Sequence, residues 1–214
     1  MVDAAVIFDV DGVLLELTSA EEDAFFETFE QRYGLKNLSR NWDSYAVRND
    51  ENIVAEILER HGLPARERTE VIADYSAILQ QRLSNGTIET ITIPGTGHLL
   101  RKLQGTFQIG IATANFLSAA KLRLIHAGIW HHVSAQAAGA EGGGHKREIL
   151  ARTVALMGLP KSQLSTWAII SMTWMRAFQM GSISLVSARA NRASENLRGL
   201  ELFIPEVTIR KPAI

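Results

Sequence analysis

The sequence contains no cysteine among its 214 residues. Disulfides and thiolate metal sites are therefore excluded, and the composition is compatible with a reducing compartment. An excess of basic charge is also missing, because 22 Lys and Arg residues stand against 23 Asp and Glu residues. This balance favours neither nucleic acid nor an anionic membrane surface as a partner.

Long apolar runs are absent as well, since none approaches the roughly 20 residues that a membrane-spanning helix needs. The first residues include an acid, Asp3, where a secretory signal peptide would carry positive charge. We therefore expect a soluble cytoplasmic protein. Hydrophobic residues make up 46% of the chain, which is enough to fill the core of one α/β domain with a modest insertion.

Short apolar runs alternate with amphipathic segments along the chain. The runs at 4–8, 107–112 and 167–170 predict strands that are buried on both faces. Helical periodicity predicts helices over 19–34, 52–61, 67–83, 94–103, 118–127 and 146–157. Strands that alternate with helices predict an α/β fold with a mostly parallel sheet covered on both faces.

Three of these helices fall between the first two strands. We interpret residues 17–89 as an inserted helical unit, with 1–16 and 90–214 forming the core domain. Ser19 and Glu22 match an S-x-x-E capping box and predict the start of the first inserted helix, which should end near Gly34.

The strongest chemical signal is the segment 6–15, which reads VIFDVDGVLL. A buried strand that runs into D-x-D-G places Asp9 and Asp11 at the sheet edge where open α/β folds bind ligands. Gly12 lets the chain leave the strand sharply. The alternative interpretation of this segment is an acidic turn that follows a buried strand and has no catalytic role. The segment resembles the first motif of the haloacid dehalogenase superfamily, whose phosphatases use the first aspartate as a nucleophile that becomes an aspartyl-phosphate. By this resemblance Asp9 is the nucleophile, and Asp11 protonates the leaving oxygen and later activates water.

The end of the second strand, Ile109–Asn115, resembles the second motif of the same family. The resemblance implies that Thr113 hydrogen-bonds the transferring phosphoryl group and that Asn115 contributes to substrate binding. The helix that follows would turn its N-terminal amides toward the anion. The alternative for Thr113 is a simple helix cap.

The third motif of the family supplies a cation beside the nucleophile, which offsets like charges as a phosphate approaches. The segment Gly144–Glu148 offers Lys146 at a predicted helix start, with Arg147 directly behind it as a substrate-binding candidate. The Lys-Pro pair that would identify the register is absent, and a solvated basic residue is the alternative.

The fourth motif is where the chain departs from the family. A buried strand ending in Gly-Asp, with another Asp four residues on, is expected to hold Mg²⁺ together with the nucleophile. Here the strand 167–170 runs into the sequence SMTWMR, which has no acid. Magnesium requires octahedrally arranged oxygen ligands. We therefore expect Asp9, with its carboxylate, and Asp11, with its backbone carbonyl, to hold the ion weakly.

The segment after Thr166 also has an unusual composition, with Trp and Met residues that follow no clean helical or strand period. The missing motif reappears when the third base of each codon is read with the first two bases of the next codon. At four junctions the two amino acids allow only one shifted codon: GGC (Gly) at 167/168, GAC (Asp) at 172/173, GAT (Asp) at 174/175 and GGG (Gly) at 180/181. The junction 168/169 permits Asp. We hypothesise a frameshift within 158–166 of an active-type gene. Ordinary divergence of a degenerate family member is the alternative.

Taken over residues 4–166, the resemblance points to phosphoglycolate-phosphatase-like members of the superfamily. It implies a three-layer α/β/α Rossmann-like core with an inserted helical cap, and Mg²⁺-dependent hydrolysis of a small phosphorylated metabolite. Loss of the fourth motif predicts impaired activity in this chain. The alternatives are an inactive binding protein of the same fold or a non-functional frameshift product. A 2-haloacid dehalogenase is less favoured, because such enzymes typically lack an acid at the position of Asp11.

Overall fold

The computed structural model describes residues 5–133, 136–158 and 167–170. The strands are β1 (Ala5–Phe8), β2 (Gln108–Ala112), β3 (Gln136–Ala138) and β4 (Trp167–Ile170). The α-helices are α1 (Ser19–Tyr33), α2 (Asp50–Arg60), α3 (Arg68–Ser84), α4 (Thr96–Leu103), α5 (Leu117–His126) and α6 (Lys146–Leu156). Short 3₁₀ turns occupy Trp42–Ser44, Ala65–Glu67 and Trp130–His132.

The strands form one parallel sheet in the order β3-β2-β1-β4. Phe8, the last residue of β1, pairs with Ile111 of β2 on one side and with Ile170 of β4 on the other. The carboxyl ends of the strands therefore meet at one edge of the sheet. This arrangement confirms the predicted α/β class and its parallel sheet. The sequence prediction missed β3, because three residues with two alanines make no recognisable apolar run.

Alternating side chains of β1 enter two different apolar clusters, as the two-residue period of a strand requires. Val6 and Phe8 pack with residues of α4 and α5, whereas Ile7 packs with residues of α6. The sheet is thus covered by helices on both faces, which explains why β1 is apolar at every position.

Helices α1, α2 and α3 share an apolar cluster of their own. Phe25 and Phe29 of α1 pack there with Ile57 of α2 and Leu79 of α3. The same cluster includes Phe116, which follows β2, so these helices rest against the carboxyl edge of the sheet. That they form a separate cap domain over 17–89 stays a prediction.

The capping box of α1 involves Thr18 and Glu21, so the prediction of Ser19 and Glu22 is wrong by one residue. The Glu21 Oε2 atom accepts the Thr18 backbone N–H at 2.7 Å, and the Glu21 N–H donates to Thr18 Oγ1 at 3.4 Å. Both overlapping patterns fit a capping box in sequence. The buried ion pair of Glu21 with Arg123 favours the earlier one. The predicted end of α1 at Gly34 is confirmed, with a φ of 72°.

Within the described part of the chain, no helix combines the length and apolarity needed to cross a membrane.

Candidate active site

Asp9 lies one residue beyond β1, at the carboxyl edge of the sheet. Lys146 is the first residue of α6, and its Nζ lies 2.7 Å from Asp9 Oδ1. The Val10 backbone N–H donates to the same oxygen at 2.9 Å. The side chains of Lys146 and Asp9 are 44% and 35% exposed, so water and ligands reach this ion pair. The structure therefore places Lys146 beside Asp9, the residues that the sequence predicted to be the cation and the nucleophile.

Asp11 also lies at this edge, where Gly12 turns the chain with a φ of 71°. Asp11 Oδ1 accepts a hydrogen bond of 2.7 Å from Nη1 of Arg123, a residue of α5 that is only 1% exposed. The same guanidinium donates from Nε to Glu21 at 2.5 Å and from Nη2 to the Glu16 carbonyl oxygen at 3.0 Å. One buried cation thus joins the proposed acid–base residue to the start of α1.

Electrostatics keep the Arg123 guanidinium charged. Burial by itself lowers the pKa of Arg123, but the negative charges of Asp11 and Glu21 outweigh it and raise that pKa above its ordinary value. No sequence motif pointed to Arg123. A signal was present, because Arg123 lies three and four residues after Ala120 and Ala119 and therefore shares their helix face. A charge on the buried face of a helix requires a partner.

Thr113 follows β2 and is fully buried. Its hydroxyl donates to Asn115 Oδ1 at 2.9 Å and accepts the Asn115 backbone N–H at 3.2 Å. The Thr113 backbone N–H donates to the Ala138 carbonyl oxygen at 3.1 Å, which ties the turn to β3. Asn115 lines the pocket described below, whereas Thr113 is not among its described lining residues.

A pocket of about 690 Å³ opens between the sheet edge and the helices α1–α3. Asp9, Asp11 and Asn115 line it from the sheet side. From the other side it is lined mainly by acidic and aromatic residues: Glu16, Glu21, Glu22, Phe25, Trp42, Asp50 and Tyr75, together with the cation Arg48.

Three predicted residues are absent from the described lining of this pocket: Thr113, Lys146 and Arg147. Lys146 reaches it through its ion pair with Asp9. Arg147 instead directs its Nε to Glu148 at 2.6 Å, and its side chain is 66% exposed. Between the two basic residues that the sequence left open, the geometry favours Lys146 as the partner of Asp9.

Asp50, the first residue of α2, was not predicted as a site residue. Its carboxylate is partly buried and accepts the Phe116 backbone N–H at 2.8 Å. Burial raises the pKa of Asp50 to about 7, the Phe116 hydrogen bond opposes this rise, and the charge of Asp11 adds to it. The pocket therefore contains one carboxyl group that titrates near neutral pH.

The described residues do not fit a divalent metal ion. Among them, no group of three or more His, Cys, Asp or Glu side chains is arranged to hold one. The carboxylates of Asp9 and Asp11 are engaged by Lys146 and Arg123. The segment expected to carry the fourth motif, from residue 171 onward, lies outside the described residues.

The family model for haloacid dehalogenase-like hydrolases matches residues 4–164, well over half of the chain. The chain therefore belongs to this family, and the resemblance inferred from the sequence is confirmed. The match ends before Trp167, where the missing motif would begin.

Solved structures with the same fold have low sequence identity. CbbY from Rhodobacter sphaeroides in complex with phosphate is 16% identical with a TM-score of 0.60, over 85% of this chain and 84% of that one. A variant of that protein in complex with xylulose-(1,5)-bisphosphate is 17% identical with a TM-score of 0.59, over 79% and 77%. A hydrolase from Pseudomonas syringae is 14% identical with a TM-score of 0.56, over 84% and 82%. None of the curated proteins compared with the sequence matches it.

Proposed function

We propose that this chain carries the active-site framework of a phosphohydrolase for a small phosphomonoester, with activity impaired by the loss of the fourth motif. The observation that carries the proposal is the 2.7 Å contact between Lys146 Nζ and Asp9 Oδ1 at the end of β1. A nucleophilic carboxylate with a solvent-accessible ammonium group beside it is the arrangement that attack on an anionic phosphoryl group needs.

In the proposed reaction, a carboxylate oxygen of Asp9 forms a bond to phosphorus while the bond from phosphorus to the ester oxygen breaks. For this step Asp11 must carry a proton, which it gives to the leaving alkoxide oxygen, so an alcohol departs and an aspartyl-phosphate remains. Asp11 then takes a proton from water, whose oxygen attacks phosphorus and releases inorganic phosphate and the Asp9 carboxylate. Lys146 offsets the negative charge throughout.

Thr113 and Asn115 have supporting tasks in this proposal. Asn115 faces the pocket and is held by Thr113, so its amide is available to a phosphoryl oxygen. Asp11 begins in contact with Arg123 and must leave that guanidinium to reach a leaving oxygen. No step is assigned to Mg²⁺, because the described residues supply too few ligands. A magnesium requirement remains a prediction from the family resemblance.

The charge of the pocket supports impaired turnover. The acids that line it are Asp9, Asp11, Glu16, Glu21, Glu22 and Asp50, whereas Arg48 is the one basic residue among the described lining residues. Lys146 pairs with Asp9, and Arg123 pairs with Asp11 and Glu21, so part of this charge is offset, and the remaining surplus repels a phosphomonoester dianion. A divalent cation would normally offset it, and the acids expected to hold that cation are missing from the sequence.

The pocket also supports the proposed division of the chain. Tyr75 of α3 and Ile53 of α2 line it opposite the sheet edge, as residues of a helical cap over 17–89 would. Substrate choice would then depend on this part of the chain, with a small phosphorylated metabolite as the partner. A cytoplasmic location is retained as part of the proposal.

Three alternatives are consistent with the same fold. An inactive protein of this family that acts by binding would bind phosphorylated ligands without turnover. A frameshift product would show neither property until the alternative frame is restored. A 2-haloacid dehalogenase is less favoured, because Asp11 would have no general-acid task in it.

The test is a phosphatase assay with a chromogenic phosphate ester and Mg²⁺, run beside the Asp9→Asn variant. We expect turnover at or near background for the present chain. A chimera in which the alternative reading frame replaces everything after Thr166 should gain Mg²⁺-dependent turnover that Asp9→Asn abolishes. Strong Mg²⁺-dependent hydrolysis by the present chain would contradict the proposed impairment. An inactive, folded chimera would contradict the phosphohydrolase framework.

A further inference from the structure

The first turn of α2 contacts the loop that precedes Lys146. Asn49 donates from Nδ2 to the Gly144 carbonyl oxygen at 2.5 Å, and Asn52 Oδ1 accepts the Gly144 backbone N–H at 3.1 Å. Asn49 Nδ2 also donates to Asn52 Oδ1 at 2.8 Å, so the two amides support each other. Both polar backbone groups of Gly144 are thus held by side chains more than 90 positions earlier in the chain.

The same turn also contacts the loop that carries Asn115. The Asp50 backbone N–H donates to the Ala114 carbonyl oxygen at 2.9 Å, and the Asp50 carboxylate accepts the Phe116 N–H at 2.8 Å. These two contacts lie on either side of Asn115. One helical turn therefore bonds to both loops that present proposed substrate-contacting residues.

The loop before Lys146 is restrained by its own hydrogen bond from the Gly143 N–H to the Ala140 carbonyl oxygen, and also by residues outside it, such as Arg152, which donates to the Gly143 carbonyl oxygen. Gly142, Gly143 and Gly144 are consecutive, and their φ angles are 82°, 65° and 89°. Glycine adopts many backbone conformations at similar energy, so a run of three is flexible unless other groups restrain it. Among the described residues, Asn49 and Asn52 provide side-chain hydrogen bonds to Gly144.

We propose that Asn49, Asp50 and Asn52, here called the α2 clamp, are positioning residues that hold Lys146 against Asp9 and direct Asn115 into the pocket. The clamp acts through Gly144, two residues before Lys146, and through the neighbours of Asn115. The inference rests on the proposed function only in assigning substrate contacts to Lys146 and Asn115. Its geometric content, that α2 controls the Lys146–Asp9 pair, is tested without any turnover.

The experiment measures how fast Lys146 reacts with an amine-specific acylating reagent in the folded protein, by peptide mass spectrometry. An ammonium group paired with a carboxylate reacts slowly, so release of Lys146 from Asp9 raises its labelling rate. Asn52→Ala should raise this rate about fivefold relative to Lys121 in the same molecule, the change in an equilibrium that loss of one hydrogen bond produces. Asn52→Asp keeps the accepting oxygen, and it should stay near the wild-type rate.

Matched control variants distinguish a specific effect on the position of Lys146 from a general destabilisation of the protein. Asn85→Ala removes another asparagine that accepts a local backbone N–H, at Thr87, and it should leave Lys146 labelling unchanged. The Asp9→Asn variant gives the labelling rate that Lys146 has when it is not paired with a carboxylate. An unchanged Lys146 rate in folded Asn52→Ala would overturn the proposal, as would an equal rise in the Asn85→Ala control.

A second measurement covers the case in which Asn52→Ala does not fold. In Asp50→Ala, the Phe116 amide loses its acceptor, and its hydrogen exchange should accelerate while exchange of the Leu124 amide in α5 stays slow. Equal Phe116 exchange in Asp50→Ala and wild type would contradict the Asp50 half of the clamp. An inactive phosphatase chimera would change neither the Lys146 labelling result nor the Phe116 exchange result. Failure of the proposed function and failure of the clamp are therefore distinguishable.

Discussion

Arg123 Nη1 donates a hydrogen bond of 2.7 Å to Asp11 Oδ1, although the two residues are 112 positions apart in the chain. The guanidinium is 1% exposed, as is the side chain of its second partner, Glu21. Because charges buried without partners cost several kcal/mol, these three residues depend on one another. The contact links the orientation of Asp11 to the place where the chain enters α1.

Replacement of Arg123 by methionine should strongly destabilise the protein. Glu21 would remain buried without its cation, and removing one partner of a buried pair typically costs about 3 to 5 kcal/mol. We expect a loss of this size in the free energy of unfolding, measured by urea denaturation. Arg66→Met is the matched control, because Arg66 is 82% exposed and should change stability by less than about 0.5 kcal/mol. Adding Glu21→Gln to Arg123→Met should recover part of the loss. No recovery would argue against the charge explanation.

Stability should depend on the ionisation of Asp50. Its pKa is about 7 in the folded protein, mainly because burial disfavours the carboxylate, compared with about 3.9 for an ordinary aspartate. Between about pH 4 and pH 7, Asp50 therefore keeps its proton in the folded state, whereas in the unfolded state this carboxyl group has released it. The contribution of protonated Asp50 to stability is fully present below about pH 4 and is lost as pH rises through about 7.

The measurement is the difference in the free energy of unfolding between wild type and Asp50→Asn over pH 4 to 9. The charged and titratable groups of other elements that interact electrostatically with Asp50 are Asp11, Tyr75, Arg123 and Glu141, and the subtraction cancels their own titrations to first order. The stability of wild type relative to the variant should fall with rising pH up to about pH 7 and then level off. A flat difference across this range would show that Asp50 titrates at an ordinary value.

Gly139 should not tolerate a side chain. A Cβ atom at this position would lie 2.5 Å from the Leu117 backbone nitrogen and 2.7 Å from the Asn115 carbonyl oxygen, and backbone cannot move aside cheaply. Gly139→Ala should cost about 1 to 3 kcal/mol of stability, as overpacking typically does. Gly97→Ala is the control, since its nearest neighbour is the flexible end of Arg101 at 3.4 Å. It should be neutral or stabilising by up to about 1 kcal/mol. Thermal or urea unfolding distinguishes the two, and equal effects would contradict the close approach.

Lys146, and not Arg147, should be the basic residue required for turnover. In the chimera that carries the alternative frame after Thr166, Lys146→Met should lower kcat by about 10²- to 10³-fold, the usual effect of losing one electrostatic stabiliser. Arg147→Met should change kcat by less than about threefold, because Arg147 pairs with Glu148 at the surface. Steady-state kinetics with a chromogenic ester measure both. The opposite order of effects would reverse the assignment.

The sequence by itself predicted the central strand and the position of Asp9. The run that ends at Phe8 is apolar at every residue because both faces of β1 are covered, and this pattern is local and readable. The start of α6 at Lys146 was predicted for a similar reason, since glycines precede a helical period. Parallel strands bring their carboxyl ends to one edge, so neighbouring positions for Asp9 and the residues after β2 followed from fold class alone.

Apart from the pair of Lys146 and Asp9, only the tertiary structure decided which charged groups meet. Arg123, Glu21 and Asp50 belong to three different helices, and no spacing along the chain relates them. Their contacts arise because folding removes these groups from water, so each must be satisfied by whichever partner the packing brings near. The same requirement selected Thr18 and Glu21 as the capping box over the overlapping pair Ser19 and Glu22. Local patterns thus determined three of the four described strands and most helix ends, whereas long-range burial determined the ion pairs that hold Asp11 and the hydrogen bonds that hold Asn115.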